Sequence, residues 1–588
     1  MNQNKTKWTC GALLLSAAIG GFTACSDDHY SINGDVAGRN TVWENIQANP
    51  QLTQFASILD KVHVSKNENS TTPQTYADLL NHSQTFTVWA PANGTFDYEK
   101  WNALLEEGTT ESAYKVEKEL IRNCMSRYTY PLSGNDSTIL NLFNSKTATF
   151  NYKNSTISGQ KITESNIGSS NGMLHVIEGS ISYLPNIYDY IMDAEGIDSL
   201  RSIIKHYETV EFDENASTQG PTVNGNITWV DSVTYKRNQF TSYFMAADLT
   251  QEDSTYSVIL PNNNAWNGVR DKYMKYFQYM PEYVQTIKSV SDDGTESSEQ
   301  KTIRMSDAEI DSLQKLNVAS KICQDLVFNN NLQFKHTADQ FAVAGACDSL
   351  RSTNYTVFYD PNSAALFDGQ TPTRLSNGYA YIVNNYNYNP VDNWLTKRKV
   401  TAWSNTETYS YCTPNPTRIN RSVTYTDEQG ESRDTTIDLT VLQLTPTRST
   451  ANTSATIAIK GLYSCKYDIY VVMAWNSSAA KPYHFRSYIN YHKGQKTSTR
   501  AQLTPPEGQL ADGRNYMTRE PYVDENGYHM TDTVLLAKDF ELPVSYYGVS
   551  DAYVTVEINS YLTSSQRSQY TNELLIDKII LVPKWEEE

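Results

Sequence analysis

Trp475, Asn476, Tyr483, Arg486, Tyr516 and Arg519 have the side-chain types that recognise a sugar. Trp475 follows an alternating run at 467–473 and leads into the stretch 476–482, with Tyr483 next. Tryptophan and tyrosine present an apolar ring with a polar tip, a surface on which a sugar ring stacks. Asn476, Arg486, Tyr516 and Arg519 carry donors and acceptors that suit sugar hydroxyls. Binding residues collect on loops held by a rigid scaffold. The competing reading is that Trp475 packs into a core beneath a long loop.

Other chemistry is sparse. There is no His-Glu-x-x-His, no Gly-x-Ser-x-Gly and no phosphate-cradling glycine loop. His484 and His492 stand eight apart in a strand-rich stretch, where same-face placement is ordinary, so no metal set is expected. His175 reads as a hydrogen-bonded structural histidine. Asp27-Asp28 and Asp292-Asp293 read as solvated charge, and Asp524-Glu525-Asn526-Gly527 as a hairpin turn without the fuller ligand spacing of a calcium loop. A polysaccharide-cleaving enzyme needs two carboxylates facing a cleft, and no such pair is recognisable. The expectation is a non-catalytic protein without a cofactor.

The elements that must position these residues are mostly strands. Tyrosine is abundant, at 41 residues, which suits strand interiors and amphipathic contact surfaces. The net charge of −18 comes without a basic block, which argues against nucleic-acid binding. Of the seven cysteines, Cys124, Cys323, Cys347, Cys412 and Cys465 match no zinc spacing. Cys323–Cys347 or Cys412–Cys465 could pair, but buried free thiols are the expectation.

Along the chain, apolar residues recur at helical spacing over 41–64 and again over 187–207. After residue 389 helical periods vanish. Short alternating runs follow at 421–425, 437–443, 455–459, 467–472, 485–491, 533–536 and 553–558, with a closing run at 573–583. That texture predicts a β-sandwich or barrel over 389–588.

Two segment types occur twice. Thr85-Phe86-Thr87-Val88-Trp89-Ala90-Pro91-Ala92-Asn93-Gly94-Thr95-Phe96 alternates and then turns, and Asn171-Gly172-Met173-Leu174-His175-Val176-Ile177 follows 80 residues after Pro91. Ser257-Val258-Ile259-Leu260-Pro261-Asn262-Asn263 and Asn377-Gly378-Tyr379-Ala380-Tyr381-Ile382-Val383 repeat the pattern, with Tyr381 in place of His175 and 116 residues between Pro261 and Asn377. The surplus is expected around 281–301 as an exposed loop, and 226–244 as an added hairpin. These segments resemble the two signature motifs of the fasciclin domain. The resemblance implies a multidomain chain of α+β and all-β parts: two fasciclin domains, each a small β-sandwich wedge with wrapped helices, at 41–185 and 186–388. The closing region 389–588 resembles jelly-roll domains of the galactose-binding-like type.

The N-terminus carries Lys5, Lys7, an apolar run at 11–21 and then Phe22-Thr23-Ala24-Cys25-Ser26-Asp27-Asp28. A basic start, a short apolar core and a small residue before the cut describe a secretory signal. The cysteine after Thr23-Ala24 resembles a bacterial lipoprotein signal, with 1–24 removed, Cys25 lipidated and 25–40 a polar tether. Ser26-Asp27-Asp28 resembles the acidic signal that sends Bacteroides-type lipoproteins to the outer face of the outer membrane. In such organisms surface lipoproteins sit beside a starch-utilisation-type (Sus-type) transporter and its lidding lipoprotein. The resemblance therefore implies an accessory glycan-binding or docking subunit of nutrient uptake; the alternative is an adhesin for host matrix or other cells. An Asp-Ser/Thr pattern also resembles the O-glycosylation sequon of those bacteria, with Ser137, Ser199, Ser232, Ser254, Ser312, Ser349, Thr435 and Thr533 as acceptors.

Overall fold

The computed structural model describes residues 38–585 except 69, 216, 221–226, 228, 232, 291–294, 331–348, 360–364, 387–389, 427–428, 476–480, 507–515 and 522–530. Cys25, Asn476, Ser232, Cys347 and the turn 524–527 lie outside the described residues. The chain is a β-rich mixture of sheets and helices. It divides into two units, residues 1–183 with 213–234, and residues 184–212 with 235–588.

In the first unit, helix Val42–Ala48 starts at a capping box between Thr41 and Glu44. Helix Thr53–Lys61 follows. Strand Phe86–Pro91 runs parallel to Gly172–Ile177, with Phe86 opposite Gly172 and Trp89 opposite His175. Both strands are almost entirely buried, as parallel strands covered on two faces must be. Ile46, Phe55 and Leu59 cover one face over Val88 and Leu174. Trp89, Phe150 and Ile177 form a second cluster.

The second unit repeats that parallel pair. Strand Tyr256–Pro261 runs parallel to Gly378–Val383 in the same register, Tyr256 opposite Gly378 and Ile259 opposite Tyr381. The expected helical stretch is Ile187–Asp193 and Asp198–His206.

The hydrogen bonds explain why the two copies share residues. Asn171 accepts from Val42 N at 2.8 Å and donates to the carbonyls of Leu80 and His82. Asn377 accepts from Ile187 N at 2.9 Å and donates to the carbonyls of Leu249 and Gln251. Each asparagine thus ties a helix start to the chain entering the motif strand. The glycine after it has a φ of 146° at Gly172 and 144° at Gly378. A Cβ there would lie 1.8 Å from Phe86 O or 1.9 Å from Tyr256 O. Only glycine fits both constraints. Asn93 and Asn263 match likewise, accepting from Gln54 N and Ser199 N, both at 2.9 Å.

Beyond these elements, two six-stranded sheets enclose one apolar cluster. One sheet, here the back sheet, runs Cys412–Thr426, Ser432–Pro446, Leu574–Pro583, Lys466–Met473, Asp532–Glu541, with Arg398–Thr401 against Leu574–Pro583. The front sheet runs Thr406–Ser410, Ser454–Ile459, Val554–Asn559, Tyr483–Tyr491, Thr499–Gln502, with Met517–Arg519 also on Tyr483–Tyr491. All these pairings are antiparallel. Val471, Ile576 and Val534 of the back sheet share the core with Ile457, Val556 and Phe485 of the front.

Two local expectations are corrected. Of 281–301, Ser-Asp-Asp-Gly at 291–294 lies outside the described residues, while Glu282–Val290 and Glu296–Arg304 are not loop but form a nine-pair hairpin. Tyr283 at its start is buried in the core between the two sheets. Its Oη donates to Ser545 O at 2.9 Å. Among the described residues of 226–244, strands Trp229–Asp231 and Thr234–Asn238 pair not with each other but with Thr218–Gln219 and Glu208–Phe212, and Gln239–Phe244 is a helix capped by Asn238.

Candidate functional site

Strand Tyr483–Tyr491 decides which of the expected binding residues meet. Side chains alternate across a strand, so residues three apart face opposite ways. Tyr483, Phe485, Ile489 and Tyr491 point into the core. His484, Arg486, Tyr488 and Asn490 therefore line the outer face of the front sheet.

Trp475 and Tyr483 are accordingly not a surface platform. Trp475 is 2% exposed and Tyr483 2% exposed, both within the core. Their rings lie 4.9 Å apart. Tyr483 Oη donates to Ala474 O at 2.7 Å, and burial raises its phenol well above the ordinary tyrosine range. The packed-core alternative is the one observed. Arg519 also leaves the expected cluster. It sits opposite Tyr483 in the strand pairing and pairs with Asp532 at 3.5 Å, across to the back sheet.

Arg486 and Tyr516 do meet, on the outer face. The Arg486 guanidinium lies 4.0 Å from the centre of the Tyr516 ring and 4.9 Å from that of Tyr561. It thus contacts two rings, each contact worth about 0.5–2 kcal/mol. Its Nη2 donates to Tyr516 Oη. On the far side of Tyr516 lies His484, stacked at 4.5 Å and 14°, and beyond His484 lies Tyr570 at 4.6 Å and 19°. The order is Tyr570, His484, Tyr516, Arg486, Tyr561, a ladder drawn from four separate chain segments. Its interior members are covered, Tyr516 at 4% and His484 at 2% exposed, while Tyr561 is 50% exposed.

Hydrogen bonds fix the ladder. Gln566 Oε1 accepts from Thr563 N and Oγ1, so its Nε2 donates to His484 Nε2 at 3.2 Å. His484 Nδ1 then carries the proton and donates to Thr518 Oγ1 at 2.8 Å. Both ring nitrogens of His484 are thus engaged, which fixes the ring between Tyr516 and Tyr570. Next along the face, Arg500 lies 3.5 Å over the Tyr488 ring and binds Glu557 through two nitrogens at 2.9 and 3.1 Å. Partial burial works against the Arg500 charge, but the Glu557 bonds and charge raise its pKa above the ordinary arginine value.

No protein-family model matches the chain, and no curated protein matches it. Among solved structures, a Paenibacillus xanthan lyase is similar over 35% of this chain and 15% of its own length, at 11% identity and a TM-score of 0.18. A likeness of that size carries no argument, so the site rests on its own residues.

The ladder is a preorganised surface with one open tyrosine ring and unused polar atoms. Among the described residues, Arg486 Nε and Asn559 Oδ1 are buried without hydrogen-bond partners, and Arg486 and Asn559 stand directly opposite in the strand pairing. Tyr561, Tyr570 and His484 were not foreseen as members. The available signal was the even-numbered face of 484–490, which gathers histidine, arginine, tyrosine and asparagine on one side.

Elsewhere, His175 is buried, donating Nε2–H to Tyr130 O at 2.9 Å and accepting at Nδ1 from Asn166 N. Burial lowers its pKa to about 4. Cys124, Cys323, Cys412 and Cys465 are free thiols, and burial pushes Cys124 up to about 12. Among the described residues no group of three metal-ligating side chains gathers, and no helix is long and apolar enough to cross a membrane. Of the sequon acceptors, Ser137, Ser312 and Thr533 are exposed, while Ser199, Ser254 and Ser349 are half-buried. Thr435 lies in strand Ser432–Pro446.

Proposed function

We propose that this chain is a non-catalytic surface lipoprotein of the outer membrane, accessory to a Sus-type uptake system, that captures glycan on the outer face of the front sheet. The observation that carries the binding role is the ladder ending in the half-exposed Tyr561 beside the Arg486 edge. An open aromatic ring flanked by fixed polar groups is what a sugar needs: its ring stacks and its hydroxyls find donors. The two copies of the asparagine–glycine clamp support two fasciclin domains, and the paired antiparallel sheets support a galactose-binding-like jelly roll. Phe22-Thr23-Ala24-Cys25-Ser26-Asp27-Asp28 supports the anchor and the address.

The test is a glycan array probed with the full chain, together with affinity purification from membranes. The reading predicts sugar binding and recovery of a barrel transporter with its lidding lipoprotein. Binding to matrix proteins with no sugar recognised and no transporter recovered would instead indicate the adhesin.

A further inference from the structure

The chain carries 66 acidic residues against 48 lysines and arginines. Cations in such a chain are expected to find carboxylates. Around the ladder, among the described residues, three do not. Arg486 has one hydrogen bond, to the Tyr516 hydroxyl. Arg567 spends its donors on the carbonyls of Ser449, Ala451 and Leu562 and on Asn452 Oδ1. Lys481 donates to Arg567 O at 3.1 Å. Gln566, next to Arg567, is the residue that holds His484 in the ladder. Glu557, on the neighbouring strand, is the acid nearest in register, and it is engaged by Arg500, Ser454 and Asn559.

The three cations differ in what they still offer. Arg567 has both terminal nitrogens committed to oxygens of the chain and contributes field, not a contact. Arg486 lies against the rings of Tyr516 and Tyr561, its Nε is buried and its Nη2 already donates to Tyr516 Oη, so the N–H groups left to offer a ligand are those of Nη1 and Nη2. A guanidinium edge matches the planar fork of a carboxylate and makes two parallel bonds to it. The Tyr561 ring lies 4.9 Å from the same guanidinium and is half exposed. A ligand carrying a carboxylate on a ring that stacks would satisfy both groups at once.

We propose that the site selects acidic sugars, with the carboxylate of a uronic acid on the Arg486 edge and its ring against Tyr561. This deepens the glycan-binding reading and rests on it. Titration calorimetry of the full chain tests it with galacturonate and glucuronate oligosaccharides, the same oligosaccharides after carboxyl reduction to neutral sugars, and a sulfated oligosaccharide. The expected result is binding of at least one uronate series that falls tenfold or more on carboxyl reduction. Arg486→Gln should abolish the difference between acidic and reduced forms. Arg486→Lys, which keeps charge and stacking but not the fork, should lose most of it. Tyr561→Ala should weaken both forms alike. Carboxyl reduction uses the unaltered protein, so misfolding of a variant cannot mimic its result. Equal affinity for acidic and reduced forms, or tighter binding of the sulfated ligand, overturns the carboxylate assignment and leaves glycan capture standing. No binding of any sugar overturns both.

Discussion

At the scale of single residues, Asn171 and His175 show how one short motif sets both stability and its pH dependence. Asn171 satisfies three backbone groups from segments far apart in sequence. Asn171→Ala strands those groups, each costing about 1–3 kcal/mol when left unmet in a buried place. The expected loss is about 3 kcal/mol in chemical denaturation of the first unit, and Asn377→Ala should act likewise on the second. His175 is held neutral by burial, its pKa lowered from 6.5 to about 4. The folded form therefore binds fewer protons than the unfolded form between those values. The stabilising contribution of the neutral ring is complete above pH 6.5 and lost as pH falls toward 4, amounting to about 3 kcal/mol at about 1.4 kcal/mol per unit. Denaturation of His175→Phe should show a lower stability at pH 7 but a flatter slope across that window. An unchanged slope would place the acid sensitivity on other groups. The asparagine–glycine pair was legible because its geometry admits few substitutes. The ladder was not, because Tyr570, His484, Tyr516 and Tyr561 come from segments whose meeting depends on the sheet's strand order.

At the scale of elements, the strand runs after residue 389 were readable from alternation: six of the expected runs fall within observed strands, and 553–558 and 573–583 each begin one residue before theirs. What alternation did not yield was the facing of 483–491. Placing Tyr483 and Arg486 in one site overlooked that an odd spacing sends them to opposite faces. The hairpin Glu282–Val290 with Glu296–Arg304 was obscured by its charge and serine content, since a ribbon pairing mainly through its backbone needs few apolar residues. Its anchor is Tyr283, fully buried in the core between the sheets. Tyr283→Ala should cost about 3–5 kcal/mol, as aromatic deletions in cores do. Tyr283→Phe removes only the bonds to Met280 N and Ser545 O and should cost about 1–2 kcal/mol. Calorimetric unfolding measures both as shifts of the transition that involves the two-sheet core. If Tyr283→Ala leaves every transition in place, the hairpin is not part of that core.

At the scale of the whole molecule, the proposed lipid on Cys25 anchors the chain on the N-terminal side of both units. A single acyl chain holds a protein only marginally, whereas several hold it stably. Cys25→Ala is expected to remove acyl labelling and to shift the chain from the membrane fraction to the soluble fraction, with the ladder's binding retained. Retention in the membrane without label would mean another anchor. The direct test of the central proposal, glycan capture on the outer face of the front sheet, compares three full-length proteins by titration with the array-selected oligosaccharide. These are the unaltered chain, Tyr561→Ala, and Tyr128→Ala, which removes an exposed tyrosine of the first unit. The account predicts equal binding by the unaltered chain and Tyr128→Ala, and at least tenfold weaker binding by Tyr561→Ala. Equal affinity in all three would contradict it.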